Sequence, residues 1–143
     1  MEPLLESIAN DLPVFGYTAA SQKQDLDGHE IEILVCTHPT KPHFWVMPLG
    51  EGAFFRALFR LGQRAETDAA GLLGVLNDCN TRCIAARCFR LGTKNLAIGG
   101  WYPRPYDRTG FGVFFEQCQQ DMRMVFGLEG LRPYYSSGDS EGA

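Results

Sequence analysis

The sequence contains no stretch that could serve as a membrane span or an export signal. Its apolar runs are far shorter than the roughly 20 residues that cross a bilayer, and the opening Met-Glu-Pro-Leu-Leu-Glu has no basic segment. Positive charge is not in surplus either, since 13 Lys and Arg stand against 17 Asp and Glu, a net charge of -4. These absences disfavour a constitutive nucleic-acid binder and a membrane partner, and we expect a cytoplasmic protein.

Closely spaced pairs of metal ligands are also missing. Structural zinc sites favour C-x-x-C pairs, whereas Cys79, Cys83 and Cys88 follow a C-x3-C-x4-C spacing. The remaining potential ligands or nucleophile partners are few and scattered, including Cys36, His38 and His43. The five cysteines are an odd number, and without an export signal we expect reduced thiols. We therefore predict no metal, no cofactor and no catalytic residues.

The composition is that of a folded protein. Of the 143 residues, 45% are hydrophobic and 12% aromatic, which is enough to build one core. We expect residues 1–135 to form a single domain. The polar, small residues of 136–143 predict a disordered tail.

The strongest periodic signal lies in residues 67–126, which predict a helix, a β-hairpin and a second helix. The first helix, 68–82, is expected to begin at an N-cap oxygen of Thr67. Its apolar stripe consists of Ala69, Leu72, Leu73, Leu76 and Cys79. The hairpin pairs 84–91 with 96–102. The second helix, 110–126, carries on one face Phe111, Phe114, Phe115, Cys118, Met122, Val125 and Phe126.

The first half of the chain predicts one helix and three strands. Pro3 begins a short amphipathic helix, and strands are expected at 29–37 and 43–49. Residues 14–23 stay ambiguous, with the alternation of an edge strand. Residues 53–63 fit either a strand or a helix, and we favour the strand because the two preceding strands need a partner. The result is an α+β fold, α-βββ-α-ββ-α, with helices packed on an antiparallel sheet.

This element order resembles the YbjN-like family of bacterial proteins. The similarity is carried by Leu73, Asn77 and Asn80, in a Leu-x-x-x-Asn-x-x-Asn helix, and by the hairpin that follows. The resemblance implies a fold like that of the class I chaperones of type III secretion, which are small, acidic, dimeric, partner-binding proteins. Family members are regarded as sensory-transduction regulators, and the resemblance brings no catalytic residues. It therefore implies a protein-binding adaptor or chaperone-like regulator.

In such chaperones the client segments lie along the first helix and the first three strands, which here carry six large apolar residues. We expect some of these residues to bind a protein partner, whereas the alternative is that all are core. The six are Leu4, Leu5, Ile8, Phe44, Trp45 and Met47. Phe44 and Trp45 are adjacent in a predicted strand, so one is expected to point inward and the other outward.

The resembling families also imply a homodimer. The predicted hairpin ends the sheet and leaves backbone groups that a second copy could pair. We expect the dimer interface to include Gly99, Gly100, Trp101 and Tyr102.

A second function class stays open. Arginines alternate with phenylalanines at 54–64, a pattern that binds single-stranded nucleic acid through phosphate pairing and base stacking. The residues are Arg56, Arg60, Arg64, Phe54, Phe55 and Phe59. The alternative is that the arginines are solvated while the phenylalanines enter the core. A cysteine-dependent enzyme or metal protein is a third and weaker hypothesis.

Overall fold

The structure, a computed structural model, describes residues 1–136. Its helices are α1 Pro3–Asp11, α2 Arg64–Thr67, α3 Ala69–Arg82 and α4 Arg108–Phe126. Its strands are β1 Thr18–Leu26, β2 His29–Thr37, β3 Phe44–Leu49, β4 Gly52–Arg60, β5 Arg87–Leu91 and β6 Asn95–Pro103. The predicted α+β class is confirmed. The tail expected at 136–143 lies, apart from Ser136, outside the described residues.

The strands form one six-stranded sheet in the order β1-β2-β3-β4-β6-β5. The β1–β2, β2–β3, β3–β4 and β5–β6 pairs are antiparallel. Residues 53–63 are mainly strand, as favoured, and the ambiguous 14–23 segment contributes the start of an additional strand, β1. Each residue of β1 pairs with β2. This strand is polar and exposed, so pairing rather than burial stabilises it.

Local sequence explains where the elements turn and begin. The turn between β1 and β2 has positive φ at Asp27 (52°) and Gly28 (81°), the conformation of a type I′ hairpin turn. The cap of α3 is Asp68, whose carboxylate accepts the Gly71 N–H at 3.1 Å. Thr67, the predicted cap, instead lies at the end of α2. The short α2 moves the start of α3 by one residue.

The chain forms two compact units. The first consists of Met1–Ala57 and Gly100–Phe115, and the second begins with Leu58–Gly99 and continues from Glu116. That residues 1–135 form a single domain stays a prediction.

The first unit has an aromatic core. The ring centroids of Tyr17 and Phe44 are 4.9 Å apart, and those of Phe44 and Phe115 are 5.5 Å apart. Phe111 extends the cluster, at 5.7 Å from Phe115 and 5.9 Å from Phe55. Such edge, tilted and stacked pairs stabilise a core beyond the effect of burial alone.

The core of the second unit contains one side of α3. Leu72, Leu76 and Cys79 are buried there, as the periodicity predicts. Leu73, which the sequence places on the same stripe, is 60% exposed. Consecutive helical residues are turned by about 100°, and Leu73 falls on the side of α3 that faces away from Leu72, Leu76 and Cys79. The predicted stripe was therefore one residue too wide.

Candidate protein-binding surface

The strand register of the first unit defines two faces of its sheet. Directly paired residues lie on the same face, so Val35, Trp45 and Arg56 share one face, and Met47 and Phe54 share it in the next row. Trp101 joins this face at the end of β3: its indole N–H donates to the Leu49 carbonyl at 2.9 Å. We call this surface the open face, and its residues are Leu26, Ile31, Val35, Trp45, Met47, Leu49, Phe54, Arg56 and Trp101.

The opposite face is covered by the helices that the structure describes in this unit. It carries the buried Leu34, Cys36, Phe44 and Val46. Helix α1 contacts β1, β2 and β3, and the Glu2 N–H donates to the Glu32 carboxylate at 3.3 Å on this side. The first turns of α4 add Phe111 and Phe115 to the aromatic core described above.

Apolar side chains remain accessible on the open face. Leu49 is 53% exposed, Leu26 49% and Trp101 45%. Ile31, Val35, Trp45, Met47 and Phe54 are half-buried, while Ile33, which the register also places here, is buried. A sheet face in water is normally polar. Contiguous apolar surface of this kind is typical of a binding site.

The open face contains no carboxylate within β1–β4 of this unit. The register places the three acidic residues of β1 and β2, namely Asp25, Glu30 and Glu32, on the covered face. The charged groups on the open side of these strands are Arg56 and, at the exposed end of β4, Arg60. A chain with a net charge of -4 thus leaves this side of the sheet without a carboxylate. The register adds the neutral polar Gln22 and Gln24, and His29, along β1 and β2, while Arg56 lies among the apolar residues of β3 and β4.

Arg56 is held against Trp45. Its guanidinium carbon lies 5.6 Å from the indole centroid, within cation–π range. Within residues 1–136, its Nε is buried without a hydrogen-bond partner, and the arginine makes no ion pair there. Arg56 therefore carries its charge at this surface without an anionic partner among residues 1–136.

The structure divides the six residues predicted to bind a partner. Leu4, Leu5 and Ile8 of α1 are at most 3% exposed, and Phe44 is 5% exposed, so in this conformation these four form core. Trp45 and Met47 lie half-buried on the open face. Adjacent residues 44 and 45 therefore point to opposite faces. This placement narrows the predicted docking set to Trp45 and Met47.

The residues predicted for a dimer interface lie in β6, between β4 and β5. Gly99 and Gly100 are buried, and the Tyr102 hydroxyl donates to the Asp107 carbonyl and accepts the Asp107 N–H, both at 3.0 Å. Trp101 is the exposed member of the four. The hairpin does end the sheet, but its outer strand is β5. The two glycines thus do not offer a free strand edge.

The arginine–phenylalanine segment is split between different environments. Phe55 is buried, and Phe59 packs edge-on against Phe126 at 4.3 Å. Arg64 lies in α2 with its guanidinium 5.8 Å from the Tyr134 ring centroid, and Arg60 is exposed. Two of the three phenylalanine rings are therefore engaged with other protein groups. Nucleic-acid binding through this segment stays a prediction, which no contact described here favours.

All five cysteines are free and buried. Burial raises the pKa of Cys36 and of Cys118 to about 12. Burial likewise raises the pKa values of Cys79, Cys83 and Cys88, whose thiols interact with one another. Thiols with raised pKa values stay protonated at neutral pH and are therefore poor nucleophiles. Across residues 1–136, no cluster of His, Cys, Asp or Glu side chains is arranged to hold a metal ion.

Two polar side chains, Asp121 and Asn80, organise the second unit. The sequence pointed to Asn80 only as part of the family resemblance, and Asp121 was not recognised. The Asp121 carboxylate, 3% exposed, accepts backbone N–H groups from Ile84, Ala85 and Ala86 at 2.7–3.1 Å. Asn80 accepts the Cys88 N–H at 2.7 Å and donates to the Cys88 carbonyl at 2.9 Å. Asp121 follows Cys118 by three residues on the apolar stripe of α4. A lone carboxylate at such a position is a signal that could have identified it.

Among residues 1–136, none of the helices combines the length and hydropathy that a bilayer crossing requires.

Comparison with known proteins supports the fold. No family model matches the chain, and no curated protein matches its sequence. A structure search finds the crystal structure of YbjN from E. coli, a proposed transcription regulator, with a TM-score of 0.65 and 12% sequence identity. The alignment covers 92% of this chain and 95% of YbjN. At this identity the similarity shows a shared fold.

Proposed function

We propose that this chain is a non-enzymatic regulator of the YbjN-like type that binds a protein partner on its open face. The observation that supports this proposal is the apolar surface of the first unit, from Leu26 to Trp101, on the side of the sheet opposite its helices. Similarity to YbjN over nearly the whole of both chains agrees with a regulatory role. The raised pKa values of the buried thiols make cysteine-dependent catalysis the less favoured alternative.

Site-specific photo-crosslinking in the native cytoplasm tests this proposal. A photoreactive amino acid replaces Leu49 on the open face in one variant. In the matched control it replaces Val113, which is 59% exposed on α4 of the same unit. We expect Leu49 to form an adduct with a defined protein, identified by mass spectrometry, and Val113 to form none with that protein. Equal adducts at both positions, or none at Leu49, would contradict the assignment.

Alanine substitution of two adjacent residues separates binding from folding. Phe44→Ala removes a ring from the aromatic core and should cost about 3–5 kcal/mol of stability. Trp45→Ala removes a half-buried ring on the open face and should lower the melting temperature much less, while reducing the yield of the Leu49 adduct. If Trp45→Ala leaves the adduct yield unchanged, Trp45 is not a docking residue.

We also propose a homodimer, formed through the strand edge at β5. Strand β5 is outermost in the sheet, and Phe89 is 37% exposed there. Unpaired N–H and C=O groups of an outermost strand can be completed by a second copy. Sedimentation at micromolar concentration should give twice the 15.9 kDa chain mass. A Phe89→Lys variant should shift the equilibrium toward monomer, and a monomeric parent protein would refute this proposal.

A further inference from the structure

We infer that the partner segment docking on the open face carries a carboxylate, aspartate or glutamate, which pairs with Arg56 between flanking apolar residues. This inference rests on the proposed function, because it names the chemistry of the partner at that same surface.

Arg56 is a cation without an anionic partner among residues 1–136. It lies among apolar side chains, with its guanidinium over Trp45 and its Nε already buried without an acceptor in the described residues. A partner that covers this surface removes the remaining water from the guanidinium. An arginine buried without an anion is strongly disfavoured, whereas a carboxylate can accept two parallel N–H bonds from it. The surface therefore rejects a purely apolar segment and selects one that contains an acid.

Trp45 restricts the position of Arg56. The guanidinium carbon lies 5.6 Å from the indole centroid, so the cation is held over the ring. This contact reduces the side-chain freedom that binding would otherwise have to restrict. Met47 and Phe54, paired in the neighbouring row, offer apolar contacts beside the cation.

A second copy of this chain, docked through its own open face, does not fit as the partner. Two open faces brought together would contribute two Arg56 side chains and no carboxylate from β1–β4, because Asp25, Glu30 and Glu32 lie on the covered side. Like charges without counter-ions disfavour that pairing. A phosphate backbone is also a poor match. Nucleic-acid binding requires several cations along the path, whereas β1, β2 and β3 place no lysine or arginine on this face and β4 provides only Arg56 and Arg60.

Selection of random-sequence peptides displayed on phage tests the inference without knowledge of the natural partner. The full-length protein is the bait. The Arg56→Met and Arg56→Lys variants are parallel baits, used after circular dichroism has shown that both are folded. Arg108→Met is the matched control, because Arg108 is 77% exposed in the same unit. We expect wild-type protein to enrich peptides with Asp or Glu between apolar residues. Arg56→Met should lose this preference, and Arg56→Lys should keep part of it.

An affinity cycle then isolates the pair. One enriched peptide and its Glu→Gln or Asp→Asn analogue are titrated against wild type and Arg56→Met. We expect the acidic peptide to lose about tenfold or more in affinity on Arg56→Met, while the neutral analogue loses little. Equal losses for both peptides would overturn the inference.

The outcomes distinguish the two proposals. Absence of any enrichment on wild type would contradict the open face as a protein-binding surface. Enrichment of peptides without acids, or an acidic preference that survives Arg56→Met, would leave docking in place and overturn the role of Arg56. If a single-stranded oligonucleotide displaces an acidic peptide from wild type but not from Arg56→Met, the arginine binds phosphate. That result would also overturn the inference.

Discussion

Replacing Asp121 should cost more stability than replacing other acids of the chain, although it forms no salt bridge among the described residues. Its carboxylate lies on the apolar side of α4 and accepts the N–H groups of Ile84, Ala85 and Ala86, which connect α3 to β5. The Ala86 hydrogen bond, at 2.8 Å, is buried, while the other two are partly buried. The carboxylate thus takes the place that a backbone acceptor would have in regular structure.

The magnitude follows from these donors. A hydrogen bond to a charged acceptor contributes about 1.5–3 kcal/mol, and a buried donor left unpaired costs about 1–3 kcal/mol. After Asp121 is truncated to alanine, water can reach the N–H groups of Ile84 and Ala85. The free energies lost at the three donors therefore do not add fully. We expect Asp121→Ala to lose about 3 kcal/mol, a large share of a typical total of about 5–15 kcal/mol. Asp121→Asn keeps one acceptor oxygen but brings an N–H₂ group toward the donors, so we expect about half that loss.

Urea denaturation followed by circular dichroism measures these losses, with Asp78→Ala as the control. Asp78 is an exposed acid paired with Arg82 at 3.3 Å within α3, and its removal should cost at most about 0.5 kcal/mol. Hydrogen exchange should quicken locally at Ile84, Ala85 and Ala86 in Asp121→Asn. If Asp121→Ala unfolds at the same urea concentration as Asp78→Ala, the carboxylate does not organise this segment.

Three further outcomes follow from local geometry. A methyl group at Gly71 would overlap the Asp68 carboxylate and the Tyr134 hydroxyl, whereas one at Gly74 meets nothing within 4 Å. Thermal unfolding should therefore show that Gly71→Ala destabilises the protein and that Gly74→Ala stabilises it by up to about 1 kcal/mol. The pKa of Asp68 is lowered below its ordinary 3.8, first by the Tyr134 hydroxyl, which donates to its carboxylate at 2.7 Å, and then by the Gly71 N–H. NMR titration of the Tyr134→Phe variant should therefore show a higher pKa for Asp68. Because the folded-state pKa is lowered, the stabilisation is present above the unfolded-state pKa and is lost as pH falls through the folded-state value. Finally, the five buried thiols should resist iodoacetamide in native protein at pH 7 and react after unfolding, and rapid native labelling would contradict their burial.

The sequence predicts elements well where periodicity and turn chemistry agree. The α3 and α4 helices carry apolar residues at helical spacing, and Asp27-Gly28 supplies the turn that joins β1 to β2. Strand β4 was favoured over a helix because the sheet needed a partner strand, and it does pair with β3. In these cases the local preference and the global fold give the same answer.

Strand β1 was harder to predict because its own residues carry little signal. Its side chains are mostly polar and exposed, and neither Ser21 nor Lys23 favours a strand. It is a strand because β2 offers a complete row of antiparallel partners. An edge strand stabilised by its neighbour's backbone has no need for an apolar pattern, so periodicity could not define it.

The choice between the two faces of β2 shows what the sequence could not provide about the site. Alternation in β2 separates Ile31, Ile33 and Val35 from Glu30 and Glu32, and solvation alone would assign the acidic side to water. In the structure this side of β2 is the one that α1 contacts, yet Glu30 stays 67% exposed there, beside Lys23. Glu32 accepts the Ser21 hydroxyl at 2.6 Å and the Glu2 N–H at 3.3 Å, while Ile31 and Val35 lie half-buried on the open face. Solvent, serine and backbone donors thus satisfy the carboxylates, so the orientation costs little. The apolar side therefore remains available, and its residues are those that a bound partner would cover.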